Sequence, residues 1–188
     1  MKSLDKLLNK EIIPTLTDFL NNQLVFWDAF EQNKRINEPI KNILELGVYR
    51  IHGEPNSKLP GQSTKTLMIL SNFHPIEKYI SLDIDDCRKT IEMCKNWVEE
   101  KGCKIENHKF VQCNSIHFDI KTEFPNGLDL IFLDTNHDDN YPEKIGFKHS
   151  GGAGMTYKEI CYYAPHLSKN GRLFIHDTKH FYVEKKYG

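Results

Sequence analysis

No apolar run in this 188-residue chain approaches the roughly 18 residues that a membrane-spanning helix needs, so no membrane partner is expected. Charge of one sign is also missing. The 25 Lys and Arg residues nearly balance 26 Asp and Glu, and no basic patch stands out, which argues against a nucleic acid partner. Cysteine is sparse: Cys87, Cys94, Cys103, Cys113 and Cys161 are odd in number, and no two have CxxC spacing. That argues against a disulfide framework or a thiolate zinc site and for reduced, mostly buried thiols. The segment Met1-Lys2-Ser3-Leu4-Asp5-Lys6 lacks the apolar run and cleavage site of a signal peptide, so a cytoplasmic location is expected. Two glycine signatures are absent as well. Gly61 is followed by Gln62 rather than lysine, and no glycine stands five positions before it, so a P-loop is excluded. Of the Gly-x-Gly-x-x-Gly dinucleotide turn, only Gly47 is in place.

What the chain does have is five short hydrophobic runs, each ending in polar residues. They are Asn42 to Gly47, Tyr79 to Asp83, Phe110 to Ser115, Leu128 to Asp134 and Arg172 to Asp177. Helix-like segments separate most of them. This alternation predicts an α/β, Rossmann-like, doubly wound and mostly parallel sheet with helices on both faces. Ligands of such sheets bind beyond the carboxyl ends of the strands, where these polar residues would gather. The length suits a single domain over 1–188, with N-terminal helices over 1–40 and a ligand-binding core over 41–180. Leu4, Leu7, Leu8 and Ile12 carry the helical spacing at the start, Pro14 interrupts it, and Phe26, Trp27 and Phe30 resume it. These helices pack on the sheet edge, cover a substrate or form a dimer contact.

The first run leads into an irregular loop, with two prolines and two glycines between Gly53 and Gly61. A helix should start near Ser63 or Thr64, carry Leu67, Ile69, Leu70 and Phe73, and stop at His74-Pro75. The Asp83 carboxylate can accept from both hydroxyls of a ribose. Asp85 or Asp86 would cap the next helix, which carries Ile91, Cys94 and Val98 and ends at Gly102. Asn114 and Ser115 offer an amide and a hydroxyl suited to an adenine edge, or to a turn.

With residues 51–60 set aside, Glu45-Leu46-Gly47-Val48-Tyr49-Arg50-Gly61-Gln62-Ser63-Thr64 resembles the first motif of the class I S-adenosylmethionine-dependent methyltransferase family. The resemblance runs on through Asp83, Asn114-Ser115, Leu133-Asp134 and Leu167 to Thr178. Asp134-Thr135-Asn136-His137 and His176-Asp177-Thr178 look most like the O-methyltransferase branch acting on sugars and natural products, which often uses magnesium. The resemblance implies that Glu45, Gly47, Tyr49, Gly61, Ser63, Asp83, Asn114 and Ser115 hold S-adenosylmethionine. It implies Asp134, Asp177 and His176 as ligands of Mg2+ or Mn2+, and His137 with Asp134 as the catalytic pair. The bound cation would lower the pKa of an acceptor hydroxyl, and His137 would serve as base near neutral pH.

Three departures from the family pattern stand out. They are the insertion at 51–60, a second insertion from Asp138 to Gly154, and a chain end at Gly188 soon after the fifth run. The second insertion reads as a lid over the acceptor or as a surface loop. The final antiparallel hairpin of the family is expected to be absent, shortened or supplied by a partner, and an open sheet edge favours a homo-oligomer. The resulting expectation is a methyltransferase acting on a hydroxyl of a small sugar or natural product. The alternative is a non-catalytic S-adenosylmethionine-binding or assembly protein, motivated by the interrupted first motif.

Overall fold

The computed structural model describes residues 29, 32, 33, 35–48, 62–72, 74–135 and 152–176. Five strands form one sheet: β1 (Asn42–Leu46), β2 (Lys78–Asp83), β3 (His108–Gln112), β4 (Leu128–Leu133) and β5 (Leu167–Ile175). Their order is β3-β2-β1-β4-β5, and every pair is parallel. Among the described residues the α-helices are α1 (Gln62–Leu70), α2 (Arg88–Glu100), α3 (Ile120–Glu123) and α4 (Gly152–Tyr163). The chain runs outward from β1 to β3, then returns to place β4 on the other side of β1. This reversal makes β1 and β4 the switch point of the sheet, the place beyond whose strand ends ligands of such sheets bind.

Burial on both faces explains why the strands read as nearly continuous apolar runs rather than alternating ones. Ile43, Tyr79, Leu130 and Phe132 face one side, under Leu67 to Leu70 of α1 and Ile91, Cys94 and Val98 of α2. Leu44, Leu46, Ile80, Leu82, Ile131 and Leu133 face the other, under Ile120, Phe118, Phe124 and Tyr163. Each fully buried Leu or Ile contributes about 1.5–3 kcal/mol relative to exposure, so the two layers are the main source of cohesion. The sheet is therefore doubly wound, as the run pattern predicts.

Some local expectations shift. Helix α1 begins at Gln62 and ends at Leu70, before His74-Pro75. The N-cap position of α2 is Cys87, whose side chain makes no capping bond, rather than Asp85 or Asp86. Asp86, one residue earlier, still accepts from the N–H of Arg88, the first helical residue, at 3.2 Å, and the Arg88 Nε and Nη2 lie 2.8 and 2.6 Å from its two oxygens. Gly102 does end the helix, at φ +76 with its N–H on the Glu99 carbonyl at 2.8 Å. Strand β5 starts at Leu167, five residues before the apolar run. Its pairing jumps from Leu128↔Leu167 to Leu130↔Arg172, so Ser168 to Gly171 are accommodated as an irregularity in the ladder. Ala29, Gln32, Asn33 and Arg35 are helical. The rest of the expected N-terminal helices lies outside the described residues, as do residues 177–188, on which the expectation of an absent, shortened or partner-supplied hairpin bears. No described helix is long and apolar enough to cross a membrane.

Candidate active site

The carboxyl ends of β1, β2 and β4 are locked together by backbone bonds that continue the ladder beyond the strands. Gly47 N–H donates to Leu82 O at 2.9 Å, and Asp134 N–H donates to Leu46 O at 2.8 Å. Gly47 has φ +86, and a Cβ there would lie 2.1 Å from the Asp134 carbonyl oxygen. Any other residue would be strained and would push β1 from β4, so glycine is required at the switch point. Val48 then turns back and donates its N–H to Asp83 Oδ2 at 2.9 Å. Asp83 Oδ1 accepts from Asp85 N–H at 2.9 Å. The Asp83 side chain is thus buried and oriented by the backbone on both sides, at the end of β2 and beside the β1 exit.

Glu45 lies one step below this rim and is fully buried. Its Oε1 accepts from Ser63 Oγ at 3.1 Å and Thr64 Oγ1 at 2.8 Å. Its Oε2 accepts from the Tyr79 hydroxyl and Ser81 Oγ, both at 2.6 Å. Burial raises its pKa, and the four hydroxyls oppose that rise. Burial also pushes the Tyr79 phenol well above its ordinary value, as does the neighbouring Glu45 charge. Ser81 spends its proton on Glu45, so it accepts from Nε2 of His108, 2.9 Å away. Burial, followed by the charge of Lys95, holds the His108 pKa down at about 3, so its ring is neutral. Glu45 and Ser63, both implied by the resemblance as cofactor-holding residues, are thus bonded to each other. The carboxylate fixes the start of α1 to β1 and β2, leaving both of its oxygens occupied by protein hydroxyls.

Beyond β3, Asn114 caps the short 3-10 turn Ser115–His117, with Oδ1 accepting from Ile116 N–H at 3.2 Å. Ser115 Oγ donates to Glu159 Oε1 at 2.6 Å, and Thr135 Oγ1 donates to Glu159 Oε2 at 2.7 Å. Burial raises the Glu159 pKa against these two bonds. The Tyr163 hydroxyl, one turn further along α4, donates to the Ser115 carbonyl. The sequence reading missed Glu159. Its signal was there: Met155, Glu159 and Tyr163 recur every four residues, which places the acid on the buried stripe of the helix.

At the exits of β4 and β5, Asp134 and His176 meet. Nδ1 of His176 is 2.9 Å from Asp134 Oδ1. His176 N–H donates to Leu133 O at 2.8 Å, which anchors its backbone to β4. Its ring packs edge-on against Phe132, with centroids 6.2 Å apart. Two of the three residues implied as metal ligands are thus in contact with each other. Asp177, His137, Tyr49 and Gly61 lie outside the described residues. No group of three or more His, Cys, Asp or Glu suited to a metal occurs among the described residues.

No family model matches the chain, and no curated protein matches it. Among solved structures it is similar to the apo form of a TDP-rhamnose 3'-O-methyltransferase of calicheamicin biosynthesis. The identity is 16%, over 92% of this chain and 73% of that one, with a TM-score of 0.48.

Proposed function

We propose that this chain binds S-adenosylmethionine across the rim of β1, β2 and β3, and transfers its methyl group to a hydroxyl of a small acceptor such as a sugar. The observation that carries the reading is the switch point itself. Gly47 is pressed against the Asp134 backbone, and the neighbouring Asp83 carboxylate is aimed by two backbone N–H groups. A side chain at position 47 would fill this cradle, and an acid at the end of β2 suits a ribose diol. The residues present therefore fit a nucleoside, and the bound cofactor would supply an electrophilic methyl on its sulfonium. Asp83 would hold the ribose, with Asn114 and Ser115 on the base side.

An acceptor hydroxyl must lose its proton as it attacks. The Asp134–His176 pair is built for this. The Asp134 carboxylate fixes the ring through Nδ1, which leaves the base chemistry to Nε2. In this reading His176 is the base and Asp134 its orienting partner; His137, the base drawn from the sequence pattern, lies outside the described residues. A divalent cation held by Asp134 and Asp177 is the competing way to acidify the hydroxyl. Transfer from methyl-labelled cofactor across a panel of sugars, phenols and polyketides tests the activity. With an acceptor in hand, His176→Asn should lower kcat by about 100-fold or more, the scale of general-base catalysis, and excess chelator should leave the wild type active. Abolition by chelator with rescue by magnesium would move the proton chemistry to a cation. Cofactor binding with no transfer to any acceptor would favour the non-catalytic alternative.

A further inference from the structure

We infer that Glu159 is a positioning residue that ties the chain leaving β3 to the chain leaving β4, so that the two walls of the rim hold a fixed spacing. The inference deepens the cofactor reading and rests on it for its functional consequence. In the sheet, β3 and β4 are separated by β2 and β1. Three strand intervals amount to about 14 Å. Yet Ser115 Oγ and Thr135 Oγ1 donate to the two oxygens of one carboxylate, at 2.6 and 2.7 Å. The turn after β3 must therefore fold back over the face covered by α4, and Glu159 meets it there.

The tie has two anchors on the β3 side and one on the β4 side. Ser115 is held through its hydroxyl by Glu159 and through its carbonyl by Tyr163. Thr135, next to Asp134, is held to the same helix through Glu159. Under the functional reading, Asn114 and Ser115 face the base of the cofactor, whereas Asp134 and Thr135 face the acceptor. A change at one wall would then reach the other through a single carboxylate.

Packing alone gives no reason for an acid here. Glu159 lies between Met155 and Tyr163 on the buried stripe of α4, where an apolar side chain would bury as much surface without a desolvation penalty. A buried carboxylate met by neutral hydroxyls is a local violation of core rules, and such violations concentrate at functional sites. Both donors sit on exits from the sheet at its ligand-binding edge, not within the strands.

The test uses the full chain with Thr135→Val, Thr135→Ser, Glu159→Gln and the Thr135→Val/Glu159→Gln double variant. Amide exchange at Ile116 to Phe118 is read without ligand, and S-adenosylmethionine affinity is read by calorimetry. Thr135→Val lies on the wall opposite the β3 turn. It should nevertheless speed exchange in that turn and weaken the cofactor about ten-fold, which corresponds to about 1.4 kcal/mol. Glu159→Gln should do the same, the double variant no more than either single one, and Thr135→Ser should restore both readouts. Unchanged exchange at Ile116 to Phe118 in Thr135→Val, or additive effects in the double variant, would overturn the tie. If the wild type binds no S-adenosylmethionine, the functional reading fails, while the exchange measurement still decides whether Glu159 couples the walls.

Discussion

Two buried glutamates occupy opposite faces of one sheet and are used in different ways. Glu45 takes four hydroxyls, from Ser63, Thr64, Tyr79 and Ser81, all gathered beneath the rim. Glu159 takes two, from Ser115 and Thr135, each at a strand exit. The first is a strut between elements already packed by apolar contacts. The second joins two loops that the sheet itself keeps apart. A buried carboxylate is costly in either place, so the number and origin of its donors indicate what it secures.

The largest effect should follow from breaking the strut. Glu45→Ala leaves four buried hydroxyls without their acceptor and opens a cavity, and should lower stability by about 3–5 kcal/mol in chemical denaturation. A loss no greater than that of Glu159→Ala would erase the distinction between the two glutamates. Asp83→Ala touches neither network's carboxylate. It should weaken S-adenosylmethionine by about 1–3 kcal/mol, the range of a lost hydrogen bond to a charged group, as read by calorimetry.

Acid should sharpen the comparison further, because only the Glu45 network contains a histidine. His108 has a folded pKa of about 3 against an ordinary value of 6.5. The unfolded chain therefore binds a proton below pH 6.5 that the folded one refuses. Stability should fall as pH drops from 6.5 toward 3, by at most about 1.4 kcal/mol per unit from this group. Glu45 and Glu159 act in the opposite sense. Their folded pKa values are raised above 4.5, so their contribution is complete below that pH and is lost as pH rises through the folded values. His108→Gln should flatten the acid-side fall; an unchanged slope would show that the ring is not held neutral. The smallest effect is expected for Glu159→Gln, within about 1 kcal/mol in stability, since the amide keeps shape and one acceptor.

Much of the fold was legible in the sequence because runs buried on both faces stay apolar along their length. All five strands, their parallel pairing and the stop of α2 at Gly102 followed from that pattern and from turn chemistry. The start of β5 did not, because Ser168 to Gly171 are polar and lie ahead of the apolar run, while the strand pairs across them irregularly. Asp83 and Gly47 were legible as strand-end residues. Glu159 was hidden because a single acid within a helix looks solvated until its spacing to Met155 and Tyr163 is counted. The Asp134–His176 contact depends on adjacent strands sharing a register, and no pattern within either run encodes that register.

Whether the strand-end rim holds the cofactor is decided by titrating S-adenosylmethionine into isotope-labelled protein, followed residue by residue by NMR. A saturable response should concentrate at Gly47 and Val48, Asp83 to Asp85, Asn114 and Ser115, and Asp134 and Thr135. No response at millimolar cofactor, or one centred on the opposite edge of the sheet around Lys41, Asp129 and Ser168, would contradict it.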